Sequence, residues 1–226
     1  MPAWTLTDEP TTIHPFDVLG QSDGTSHLMV HALLCNETES RTDVTKQSNI
    51  RCTHMGPPLG QRSSSCDAVG SAGLNDTHRR KIKVFVDDRL MERAAEKKRG
   101  RLNDLIAEYR IHPSATRPSR EFPLWRFSCV GFVLEAYNAA GIRLLGAPLP
   151  FKTLDELKQL YPRHARHLDD SDNRTRLGIG EGDRWPVALV GYVLNSLSRA
   201  VKQIHSDEYV PQPGDEYFPP EPSLGL

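Results

Sequence analysis

Residues 122–145 read FPLWRFSCVGFVLEAYNAAGIRLL, an aromatic extended run that meets an apolar helix-forming run at a single cysteine. Ser128 has the side chain of an N-cap, and Cys129, Phe132, Val133, Ala136, Tyr137 and Ala140 recur along one side of the run that follows. Gly141 supplies a residue suited to the left-handed conformation at which helices commonly stop. The stretch therefore predicts a helix from Cys129 to Ala140 whose first residue is a thiol. Unpaired N–H groups and the helix dipole favour a thiolate there, and the same groups can hold the oxyanion of an acyl-transfer intermediate. A second reading of the same residues is a small apolar cysteine filling a core, since CVGFV is apolar throughout.

Upstream, PFDVLGQSDGTSHLMVHALL (15–34) contains two β-prone runs, Phe16 to Leu19 and His27 to Leu34, separated by glycines and small polar residues. That is the composition of a hairpin. Strict alternation puts His27, Met29, His31 and Leu33 on one face of the second strand, and Leu28, Val30 and Ala32 on the other. Residues 40–80 have no aromatic side chain and many Ser, Thr, Gly and Pro, so they are expected to form an irregular insertion. Leu90, Ala94, Leu102, Ile106 and Tyr109 recur at helical spacing across 87–110, before the three prolines of HPSATRPSREFP. Further helices are expected at 153–161 and 186–205, and the proline-rich end is expected to lie extended over the surface. The chain thus divides into N-terminal strands (1–39), the insertion (40–80), a helical part carrying the cysteine (81–210) and a tail (211–226).

The chain of 226 residues has 28 Lys+Arg against 29 Asp+Glu, a formal net charge of -1, and so no global field for nucleic acid or an anionic membrane. Its mean hydropathy is -0.50, and no apolar run is long enough to span a bilayer. The N-terminus lacks the basic start and apolar stretch of a signal peptide, which points to the cytoplasm. The 4 cysteines have no CxxC spacing, as expected of thiols in a reducing compartment.

RFSCVGFVLEAYNAAGIRL resembles the catalytic helix of NlpC-like papain-fold cysteine peptidases, with Cys129, Gly131, Phe132, Val133, Ala136, Tyr137, Ala140, Gly141 and Ile142 matching as they stand. Val130 replaces the usual serine, and Ser128 stands where aspartate or tyrosine is frequent. In the ordinary order a histidine strand follows the cysteine helix. Here PGDEYF (213–218) resembles the Gly-Asp element that precedes that strand, and no histidine follows it. The order is instead similar to the circularly permuted branch that includes lecithin retinol acyltransferase-like enzymes, with Asp17 and His27 at the matching positions ahead of the cysteine.

That resemblance implies an α+β fold, a small antiparallel sheet or partial barrel packed on the cysteine helix. It also implies a Cys129/His27 pair that attacks an amide or ester through a thioester, with no cofactor. A peptide or cell-wall fragment is the first substrate class and a lipid acyl group the second. Candidates for the group that orients the imidazole are His31, Glu37 and Glu39.

Two other function classes fit the same chain. One is a catalytically inactive binding protein that keeps the fold. The other is a zinc-stabilised interaction module using Cys35, Cys52, His54, Cys66 and His78, which have ligand chemistry but lack paired short spacings. His164 and His167 lie in a charged stretch read as a solvated helix end, as is the basic run Lys97, Lys98, Arg99 and Arg101. LGIGEGDRW (177–185) lacks the Lys-Ser/Thr of a phosphate loop and reads as a turn.

Overall fold

A computed structural model describes residues 3–22, 24, 28–56, 58–100, 109–120, 122–160 and 165–218. The N-terminal third supplies eight strands: β1 (Trp4–Thr5), β2 (Thr11–Ile13), β3 (Val18–Ser22), β4 (Met29–Cys35), β5 (Arg41–Val44), β6 (Ile50–Met55), β7 (Leu59–Ser64) and β8 (Ala68–Gly70). Six of them make an antiparallel sheet in the order β1-β8-β3-β4-β6-β7, while β2 and β5 pair separately. The expected hairpin is present as β3 and β4, with Val18 opposite Leu34 and Gly20 opposite Ala32.

The 40–80 segment is not an irregular insertion. It contributes β5 to β8 and the start of α1 (Asp76–Lys98). These strands are short and rich in Thr, Ser, Arg and Gln, and they bury little more than Val44, Ile50, Cys52, Met55, Leu59, Ala68 and Val69. The buried apolar residues are few and widely spaced among polar ones, so the regular apolar alternation that marks a strand in sequence is missing.

Each face of the main sheet is covered by a different layer. On one face lie α1, α2 (Cys129–Ala139) and α6 (Val190–Leu197), in a cluster with Val18, Met29, Ala32, Leu34 and Met55. α6 approaches the strands beneath it closely at two glycines, where an added Cβ would make its leucines shift. A Cβ on Gly20 would come within 2.8 Å of Leu194 Cδ1, and one on Gly70 within 2.7 Å of Leu197 Cδ1. On the other face Leu19, Leu33, Cys35, Cys52, Cys66 and Val69 pack against Ile13 and Val44 of the β2–β5 ribbon.

α1 begins eleven residues before the expected helix at 87–110, because Asn75 caps it by accepting the His78 N–H at 2.9 Å, and it ends at Lys98. Residues 101–108, including Arg101, Leu102 and Ile106, lie outside the described residues. The expected helix at 153–161 is α3 (Leu154–Leu160), preceded by β9 (Phe151–Thr153) and followed by α4 (Ala165–Leu168) and α5 (Ser171–Arg176). The expected 186–205 helix is divided. Trp185 and Pro186 belong to β10 (Arg184–Pro186), which pairs with β9, and α6 ends at Leu197 before α7 (Val201–Ser206) begins.

Residues 211–218 of the tail are docked on the core, and 219–226 lie outside the described residues. Phe218 is buried, Asn195 Nδ2 donates to the carbonyls of Asp215 and Tyr217 at 3.0 and 3.1 Å, and Tyr217 bridges to Leu28. Among the described residues no helix is long and apolar enough to cross a membrane.

Candidate functional site around Cys129

The N-terminus of α2 forms as its sequence predicts. Ser128 is extended and its Oγ accepts the Gly131 N–H at 2.9 Å, which leaves Cys129 as the first helical residue. Ala140 is the C-cap, and Gly141 follows with φ of 84°. α2 lies on β4 and β6, so its first residue is held against the sheet.

The sulfur of Cys129 is faced by the backbone N–H groups of Ala32, Val130 and Cys129 itself, all of which stabilise a thiolate. Burial acts the other way and prevails: Cys129 is only 5% exposed, and desolvation pushes its thiol above the ordinary range. A small cleft lined by apolar residues lies over it, formed by Leu28 with Met29 and Val30 of β4, Val130, Leu160 at the end of α3, and Ala188 and Leu189 with Val190 of α6.

The candidate histidines and carboxylates are distributed differently from one another. His27 lies outside the described residues. His31 is not brought to Cys129. Its Nε2 is 3.3 Å from Nδ1 of His54, which stands opposite Leu33 in the ladder and shares with Leu33 the sheet face turned away from α2. Strict alternation fails because β4 carries a bulge. Gln21 pairs with His31 but Ser22 pairs with Met29, so Val30 is an extra residue, and Met29 turns to the α2 face while His31 and Leu33 turn from it.

Glu37 and Glu39 stand beyond the other end of β4. Glu37 Oε1 accepts the Arg51 N–H at 3.0 Å and is 3.8 Å from Arg41, which ties the β4–β5 corner to β6; Glu39 is exposed in that corner. Neither reaches the cleft that holds Cys129.

In the sequence His54 stands out only as a possible zinc ligand, and it is the imidazole that His31 meets. The signal was its place in a short strand that polar composition concealed. Desolvation, and secondarily the Arg62 guanidinium, lower its pKa to about 4. Among the described residues no group of three or more His, Cys, Asp or Glu side chains is placed to hold a metal ion. His78 belongs to α1 and packs on His205 at 5.1 Å, away from the three buried cysteines of the opposite layer. Lys97, Lys98 and Arg99 close α1, while His164 lies outside the described residues. The 177–185 glycines turn the chain, with positive φ at Gly178, Gly180 and Gly182.

No family model, curated protein or solved structure matches this chain.

Proposed function

We propose that the chain is a thiol-dependent hydrolase or acyltransferase of permuted, papain-like design, acting on an amide or ester through a thioester on Cys129. One observation carries the reading: a thiol at the first position of a Ser128-capped helix, where backbone N–H groups have no intrahelical acceptor, packed on β4. The thiolate attacks the acyl carbon, and N–H groups of this kind stabilise the oxyanion that develops beside it. His27 is the proposed proton acceptor. It precedes by two residues Met29, which lines the same cleft as Cys129. The cleft is apolar, so an acyl group or side chain without charge suits it, whether from a peptide, a cell-wall fragment or a lipid.

Access requires movement of the residues that cover the sulfur, Leu160 and Leu189 among them. That same burial, together with the turning of His31 away from the thiol, favours a second reading, a binding protein that retains the helix without catalysis. The pH dependence of alkylation at Cys129, resolved by peptide mass in the wild type and in His27→Ala, separates the two. The enzyme reading expects reaction well below the ordinary thiol pKa of about 8.5, and loss of that behaviour in the variant. An inert Cys129, or one indifferent to residue 27, rejects it in favour of the binding protein.

A further inference from the structure

The layer opposite Cys129 holds Cys35, Cys52 and Cys66, all free and all buried in one apolar cluster. Cys35 of β4 and Cys52 of β6 are direct cross-strand partners. The kind of pair they make follows from their neighbours. The Asn36 N–H donates to the Arg51 carbonyl at 2.7 Å, so the β4–β6 hydrogen bond here flanks the Cys35/Cys52 pair, as it does at a non-hydrogen-bonded position. Cys35 agrees. Its N–H donates to the Asp17 carbonyl at 2.9 Å and its carbonyl accepts the Phe16 N–H at 2.9 Å, so both groups point to the β3 side and none to β6.

At non-hydrogen-bonded positions the two Cα atoms approach to about 4.5 Å and the side chains converge on one face. A disulfide spans Cα separations of about 4.4–6.8 Å. The register thus places the two residues at a position whose usual Cα spacing a disulfide can span, and the Cys52 thiol, which donates to the Arg62 carbonyl at 3.4 Å, gives up that contact to bond.

We propose that Cys35 and Cys52 are a redox modification site, joined on oxidation by a cross-strand disulfide between β4 and β6. The oxidant is a small-molecule disulfide. The Cys52 thiolate attacks one of its sulfurs and the old S–S bond breaks, releasing one small thiol and leaving a mixed disulfide on Cys52. The Cys35 thiolate then attacks the Cys52 sulfur and releases the second thiol. Two protein thiols lose two electrons and two protons, and one small disulfide becomes two thiols. Exchange is slow in the closed fold, because desolvation pushes the Cys35 thiol up to about 12 and both sulfurs lie under the β2–β5 ribbon.

The test is to unfold the full chain in urea, dilute it into a buffer of oxidised and reduced glutathione, alkylate the remaining thiols and map all pairs by peptide mass. The expected product has lost two hydrogens, links the peptide of Cys35 to that of Cys52, and leaves Cys66 and Cys129 alkylated. Dithiothreitol returns it to four free thiols. A linkage through Cys66, an even spread among pairs, or folded protein with no linkage overturns the proposal. A Cys66→Ala/Cys129→Ala variant repeats the measurement with one possible pair. If it folds without forming the bond, the proposal fails there also.

Discussion

Asp17 is a carboxylate at the start of β3 that is only 1% exposed, and replacing it with asparagine tests the energetics of this core directly. Desolvation raises its pKa from 3.8 to about 6, although the Ser71 hydroxyl, the His14 N–H at 2.8 Å, and the His14 and Arg79 charges all favour the ionised form. A raised carboxyl pKa means that the folded chain binds this proton more tightly than the unfolded chain. Stability contributed at Asp17 is therefore present below about pH 4 and is lost as pH rises to about 6. The shift is 6 minus 3.8, or about 2 pH units, and at about 1.4 kcal/mol per unit the ionised side chain costs about 3 kcal/mol at neutral pH. Asp17→Asn keeps an oxygen for the His14 N–H and removes the charge. Urea unfolding from pH 4 to pH 8 should show the variant gaining on the wild type by roughly 2–2.5 kcal/mol between the ends of that range, most of it between pH 4 and 6. His54 has the opposite slope in nearly the same window, because its lowered pKa removes stability as pH falls from 6.5 towards 4. It is present in both proteins and cancels in their difference. A difference that stays flat with pH, or a variant that loses ground above pH 6, refutes the argument that burial dominates at Asp17.

Ser128→Ala leaves the buried Gly131 N–H without its acceptor and should lower stability by about 1 kcal/mol, seen as a fall of roughly 2–4 °C in Tm, while Ser128→Thr should retain most of it. Gly191→Ala places a Cβ 2.2 Å from the Glu216 carbonyl oxygen and 2.4 Å from that of Asp215, both backbone atoms that cannot swing aside. Limited proteolysis should then cut beyond residue 210 at protease levels that leave the wild type intact. Leu160→Ala removes part of the cover over Cys129 and should raise its alkylation rate several-fold without altering the rates at Cys35, Cys52 and Cys66.

The legibility of this chain follows the size of its apolar side chains. α2 was readable to within a residue because a capping serine, a stripe of Phe132, Val133 and Tyr137 and a terminal glycine all agree on one helix. β6 and β7 were not, because IRCTHM buries Ile50 with Cys52, Thr53 and Met55 in place of a regular apolar alternation, and LGQRSS buries Leu59 alone. The docking of the tail was concealed for another reason. It rests on Asn195 and a close approach at Gly191, two residues far from 211–218 in sequence.

The bulge at Val30 had no local signal and has the largest consequence for the site. Without it, Met29, His31 and Leu33 would share one face. With it, the strand changes face at one residue, and Met29 lines the thiol's cleft while His31 joins His54 behind the sheet. β4 is therefore two half-strands in function. Beyond the bulge Leu33 and Cys35 build the far layer while Ala32 and Leu34 still pack with α2, and before it Met29 faces the helix that carries Cys129. Any imidazole that works with Cys129 from this strand must come from the side of the bulge on which Met29 lies, which is the side of His27 in sequence and not the side of His31.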